Sequence, residues 1–244
     1  MKKTLLVLAF AAAAPAAHAV QPNPFSGFEQ NAATTLLKPF ALDLGGLLGA
    51  SVVDTGRTYG MPGFWVGGDA ALQTRPDRND QILRDANVHS FALPMVQAGA
   101  GLPFGTDVML HGVGAYGVTI YGGGLRKSLY RTGLVDTFLP NVAVSAFGDK
   151  VNAGAFSASH GAANATATWD LPLIKPFVEA GYDLTKVSVS ASRTPGLVGT
   201  TATANGTRFA GGVDLTPFPF FDLRLALLDL HGITGVQLGL GVDF

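Results

Sequence analysis

From Phe64 to Phe244 the chain alternates apolar side chains with small or polar ones at a period of two, in segments about as long as a tilted membrane-crossing strand. Successive side chains of a strand point to opposite faces, so this pattern gives every segment one apolar face and excludes a helical fold for three quarters of the chain. Strands are expected near 64–74, 91–102, 106–116, 118–129, 141–149, 157–170, 175–187, 205–216, 220–231 and 235–244. The clearest place Val178, Ala180, Tyr182 and Leu184 opposite Glu179, Gly181 and Asp183, and Phe221, Leu223, Leu225 and Leu227 opposite Asp222, Arg224 and Ala226.

Composition decides where the apolar faces go. Only 14% of the residues are charged, against about 25% in an average soluble domain, while 48% are hydrophobic. Beyond the first twenty residues no run reaches the roughly 18 to 20 apolar residues of a spanning helix, which excludes a helical bundle across a membrane. In a soluble sandwich the faces opposite the apolar ones would be strongly polar. Here they are mostly Gly, Ala, Ser, Thr and Asn with scattered charges. That balance suits an all-β, antiparallel up-and-down transmembrane β-barrel of about ten strands, in the range of eight to twelve, with small residues lining a narrow lumen. Proline marks one set of connections, at Pro103, Pro140, Pro172 with Pro176, and Pro217 with Pro219, as expected for strand ends. The other set holds the long polar loops 75–90 and 186–204 together with two short ones. Aromatics near strand ends, including Trp65, Tyr130, Trp169, Phe218, Phe220, Phe221 and Phe244, are expected to form an interfacial girdle.

Residues 1–19 read as a signal peptide: Lys2 and Lys3, an apolar stretch, then Ala17-His18-Ala19 before the polar Gln21-Pro22-Asn23-Pro24. Losing Lys2 and Lys3 moves the formal charge from −1 to −3, which gives nucleic acid nothing to bind. The absence of cysteine excludes disulfide scaffolds, thiol chemistry and cysteine-ligated zinc. Residues 20–63 precede the barrel of 64–244. Their three- and four-residue apolar steps predict two short helical pieces broken at Pro39, which either plug the lumen or rest beneath it in the periplasm.

The final nine residues, Val236-Gln237-Leu238-Gly239-Leu240-Gly241-Val242-Asp243-Phe244, resemble the C-terminal strand of bacterial outer-membrane β-barrel proteins. The resemblance implies export to the outer membrane of a Gram-negative cell, with both barrel ends on the periplasmic side. It implies as partners outer-membrane lipid and lipopolysaccharide, periplasmic chaperones and the barrel-assembly machinery, the last reading Phe244, Val242 and Leu240. It implies no particular cargo, cofactor or reaction.

Several constellations invite chemistry. Gly112-Val113-Gly114-Ala115-Tyr116-Gly117 has dinucleotide-binding spacing, but a strand rather than a helix follows, so a tight hairpin explains it better. Ser159 and His160, being adjacent, face opposite ways. Asp229 and His231 share a parity that places both on the outer face at a rim, with no third member of a triad, and the remaining histidines are too dispersed for a metal site. The strongest lead is a set of inward-facing polar side chains: Asp69, Gln97, His111, Glu179, Asp183, Arg208, Asp214, Asp222, Arg224, Gln237 and Asp243. They form either internal salt bridges or a polar conduit. The sequence thus points to a structural or porin-like barrel for passive small-solute transport, without cofactor or metal. An outer-membrane hydrolase acting on lipid or peptide, or a surface adhesion or recognition protein, is the alternative.

Overall fold

The computed structural model describes residues 23–131 and 139–244, so the expected signal peptide lies outside the described residues. Ten antiparallel strands form a closed barrel: β1 (Phe64–Gln73), β2 (Phe91–Leu102), β3 (Thr106–Ala115), β4 (Val118–Tyr130), β5 (Asn141–Asn152), β6 (Phe156–Thr168), β7 (Ile174–Val189), β8 (Thr201–Phe218), β9 (Phe221–Leu230) and β10 (Ile233–Asp243). Each strand pairs with its chain neighbours, and β1 closes on β10 through Trp65 opposite Asp243 and Gln73 opposite Gly235. The end that carries Phe64 and Phe244 is called here the near end, and the other the far end.

Strand positions follow the alternation to within a few residues, except on β8. It begins at Thr201 because Thr201 to Ala204 pair with Ser188 to Thr185 of β7, which shortens the far-end loop to 190–200. Tyr116 and Gly117 turn between β3 and β4 with φ of 53° and 78°, the two positive values a two-residue hairpin of matching twist requires.

Outside, Val66, Val96, Leu110, Leu125, Val178, Leu184, Leu227 and Leu238 stand exposed around the wall. An apolar band of this extent calls for an apolar surrounding. Phe64, Phe104, Tyr130, Phe218, Phe220 and Phe244 are exposed at the near end, where an interfacial girdle belongs. Trp65 does not join them, contrary to expectation. It shares the inward parity of Asp69 and donates from Nε1 to Asp222 Oδ1 at 2.8 Å.

The lumen is filled by the N-terminal segment. Helix α1 (Phe28–Asn31) and a 3₁₀ turn (Thr34–Leu36) lie at the far end, and α2 (Leu37–Ala50) descends inside the barrel against β7, β8 and β9. The break falls at Ala32 and Ala33, whose backbone is extended, and not at Pro39. Pro39 sits in the first turn of α2, where an amide hydrogen has no helical partner to lose.

The far half of the lumen is apolar, which the expected small-residue interior did not include. Phe28, Leu37, Phe40, Leu44, Leu47 and Leu48 pack against inward-facing Phe91, Leu93, Ile120, Val151, Phe156, Val187 and Leu228. Rings of Phe28 and Phe40 meet Phe156 at centroid distances of 4.7 and 5.0 Å.

Candidate functional site

Below α2 the chain turns at Ser51 and Val52 and runs on without helix or strand to Tyr59, and the strands bind it there through polar side chains. Side chains donate to three of its carbonyls: Gln97 Nε2 to Ser51 at 2.6 Å, Gln237 Nε2 and Arg224 Nη1 to Val53 at 3.1 and 3.2 Å, and Arg126 Nη1 to Thr55 at 3.0 Å. Each donor satisfies a backbone group that would otherwise be buried without a partner.

Asp54 is the centre of this arrangement. Its carboxylate is clamped between Arg126 of β4 at 2.6 Å and Arg224 of β9 at 2.5 Å, two strands on different walls of the barrel. Arg126 also donates to Asp107 from Nε and Nη2, at 2.9 and 2.7 Å, and lies over the Tyr59 ring. Asp69 bridges Gln97 and Gln237 at 2.9 and 3.1 Å and faces Arg224 at 3.5 Å.

A second network lies higher, beside the C-terminal half of α2. Arg208 donates to Glu179 Oε1, Asn164 Oδ1 and Asp183 Oδ2 at 2.8, 2.8 and 3.3 Å. Glu179 also accepts from Thr166 at 2.9 Å. From Asp183 an alternating row runs across the wall: His231 bonds Asp183, His160 lies 3.5 Å from it and bonds Asp149 at 2.7 Å, and His111 bonds the other Asp149 oxygen. Three glycines let α2 lie against this wall. A Cβ at Gly49 would strike the Asp183 carboxylate and stand 2.8 Å from Arg208 Nε.

At the far end Asp43 of α2 accepts from Gln73 Nε2 and from the backbone N–H of Asp77, at 2.9 and 2.8 Å. Asp80, which caps helix α3 (Gln81–Asp85) by accepting from Leu83 N–H, is buried beside Asp43. Burial first, and then the negative charge of Asp43, push its carboxyl up to about 8.

The structure therefore places ten of the eleven inward candidates, Asp69, Gln97, His111, Glu179, Asp183, Arg208, Asp214, Asp222, Arg224 and Gln237, as buried side chains facing the interior. Asp243 is the exception in burial: it lies exposed at the near mouth, where it lines a cavity. The pairing of Asp229 with His231 is corrected. Asp229 turns outward and accepts from Gly232 N–H at 2.6 Å, while the positive φ of His231, 57°, swings its ring inward to Asp183. Ser159 and His160 do part, Ser159 meeting Lys150 on the outer face. Of the residues missed in the sequence, Asp107 and Arg126 stand directly opposite each other on β3 and β4, where parity alone could have found them. Asp54 lies in a link without periodicity and carries no such signal.

No protein-family profile and no curated protein matches the chain. Among solved structures it is similar to an outer-membrane channel from Pseudomonas putida F1, at 8% identity and a TM-score of 0.53, over 79% of this chain and 100% of that one. More distant likenesses include the N-terminal barrel domain of Pseudomonas aeruginosa OprF, at 12% identity and a TM-score of 0.38 over 76% and 99% of the chains. Neisserial surface protein A follows at 16% identity and a TM-score of 0.33, over 74% and 95%. The chain has the fold of the bacterial outer-membrane β-barrel proteins, a closed up-and-down barrel of ten strands.

Proposed function

We propose that the protein is an outer-membrane barrel of passive-transport type, a small-solute pore held shut by its own N-terminal segment. The near end then faces the periplasm, and residues 23–36 close the outer mouth. One observation carries this reading: the lumen is occupied by residues 37–56, which belong to no strand and join the barrel only through the link before Phe64. A wall built only for stability would be expected to fill its own interior with side chains, as small barrels do. Here the wall carries polar donors that bind a removable segment, and those same donors suit water once the segment leaves. The far-end loop 190–200 fastens the part of the chain that precedes this segment: Arg193 N–H donates to Glu29 O, and Thr194 Oγ1 to Ala32 O, both at 2.9 Å.

The test is planar-bilayer conductance of the mature chain and of a variant lacking residues 21–60, each checked for folding by its heat-modifiable gel shift. The deletion is expected to convert rare or absent current steps into a stable conductance. A folded deletion variant that conducts no more than the full chain would refute the pore and leave a structural barrel.

A further inference from the structure

We propose that the near end of the barrel holds a binding site for a small aliphatic compound bearing two ammonium groups. A cavity of about 160 Å³ opens there, beneath the segment that follows α2. Three consecutive strands each bring one aspartate to it: Asp214 of β8, Asp222 of β9 and Asp243 of β10. Asp214 and Asp222 are only 6% and 4% exposed, yet Asp214 Oδ1 and Asp222 Oδ2 have no hydrogen-bond partner among the described residues. Buried carboxylate oxygens left in this state call for a cationic partner.

The neighbouring cations do not supply enough charge. Arg224 stands opposite Asp214 in register, but its two Nη atoms are turned to Asp54 at 2.5 Å and to Asp69 at 3.5 Å, and its Nε makes no hydrogen bond to either Asp214 or Asp222. Arg57 pairs with Asp170 at 3.5 Å. Lys175, across from Asp214 on β7, is left as one positive charge among three negative ones. The balance at the cavity is therefore two negative charges.

Volume and wall chemistry select the kind of cation. A water takes about 30 Å³ and a benzene-sized apolar cavity about 150 Å³, so the space suits a ligand of some six heavy atoms better than a bare ion. No group of three or more His, Cys, Asp or Glu among the described residues has the geometry of a metal site. Tyr59 and Trp65 line the cavity and stack with their rings 6.2 Å apart, which gives it apolar surface to cover an alkyl stem. Two ammonium groups on a short alkyl chain would match both the charge and the length.

Trp65 donates to Asp222 and is thereby a reporter of the site; replacing the only other tryptophan, as Trp169→Phe, isolates its emission. The folded full-length mature protein in detergent is titrated at neutral pH with the four-carbon diamine putrescine, and separately with butylamine and with magnesium. Putrescine is expected to change Trp65 emission saturably, with butylamine about tenfold weaker and magnesium inert. Asp214→Asn with Asp222→Asn should weaken putrescine by about tenfold or more, whereas Lys175→Gln, which removes the competing cation, should tighten it severalfold. The gain expected from Lys175→Gln separates lost binding from lost folding. No saturable change up to about 10 mM putrescine, magnesium acting at equal or lower concentration, or unchanged affinity in either variant would overturn the proposal.

Discussion

Replacing Asp54 by alanine should free the segment that follows α2 while leaving α2 in place, and the two halves of the lumen set the expected sizes. In the near half, the segment is held by side-chain bonds to the carbonyls of Ser51, Val53 and Thr55 and by the Asp54 carboxylate, about 10% exposed, which takes both arginines. Removing one partner of a buried ion pair costs about 3 to 5 kcal/mol. The low end applies here, because Arg126 keeps Asp107, and Arg224 keeps Asp69 and the Val53 carbonyl. A loss of about 3 kcal/mol raises the fraction of time the segment is out of its seat by roughly a hundredfold. In the far half, six buried side chains, Phe28 of α1 and Leu37, Phe40, Leu44, Leu47 and Leu48 of α2, hold the helical part. At about 1.5 to 3 kcal/mol each they contribute roughly 9 to 18 kcal/mol as an upper estimate, which the substitution does not touch. The chain has no cysteine, so single thiols report each half cleanly. Reaction of a small thiol reagent with Ser51→Cys should accelerate about a hundredfold in the Asp54→Ala background, while Leu44→Cys should react at an unchanged rate. Equal acceleration at both positions would show that the segment leaves as one unit and refute the division into halves. No acceleration at Ser51→Cys would refute the role of Asp54.

Further outcomes follow from the same geometry. Gly45→Cys with Thr185→Cys should form a disulfide on oxidation, since a Cβ at position 45 stands 3.2 Å from that of Thr185, within a few tenths of an ångström of the roughly 3.5 to 4.5 Å of usual bridges, so that only a small shift of α2 is needed; failure to form under oxidation would place α2 elsewhere. Gly49→Ala should lower Tm although alanine favours a helix by about 1 kcal/mol, because the new methyl meets Asp183 and Arg208; a higher Tm would reject the close seating. Asp80, whose carboxyl titrates at about 8 in the fold against 3.8 for an ordinary aspartate, keeps a proton that the unfolded chain has already released. Stability should therefore fall as pH rises between those values, by about 1.4 kcal/mol per unit at most, and level off above them. Urea unfolding between pH 5 and 8 should show this slope in the native chain and a flatter one in Asp80→Asn, which keeps the cap on Leu83; identical slopes would rule out Asp80 as the source.

Strands were legible where the two faces differ in kind and illegible where they do not. Glu179, Asp183, Asp222 and Arg224 each sit between apolar neighbours, so parity assigned them to the interior without any knowledge of register. The start of β8 reads Thr-Ala-Thr-Ala-Asn-Gly-Thr, small on both faces, and its first four residues escaped because only pairing with β7 marks them as strand. On β2 both faces are apolar: Phe91, Leu93 and Met95 point inward, and Ala92, Pro94 and Val96 outward. Inward apolar residues make sense only against an apolar body in the lumen, and that body is a helix encoded some fifty residues earlier. Trp65 was misplaced for a related reason. An aromatic residue at a strand end suits a girdle or a lumen equally, and its parity with Asp69, visible in the sequence, was the better guide.

The division of the lumen also bears on how such a pore would open. Three glycines in the fourteen residues of α2 cost about 3 kcal/mol in helix propensity relative to alanine, so this short helix has little stability of its own and depends on the apolar far half for its order. Withdrawing it would expose Phe91, Leu93, Phe156 and their neighbours to water, the most costly step available to the segment. Releasing residues 51–59 exposes instead Gln97, Arg126, Arg224 and Gln237, groups that water solvates well. The order of opening follows from this asymmetry: the polar near half loosens first, at Asp54, and the helix leaves only if something pulls on the freed segment or replaces its contacts. On the proposed reading, a pore built this way would stay shut by default, and its point of control would be the near-end cluster around Asp54 and Arg224, beside the acidic cavity that shares Arg224 as a wall.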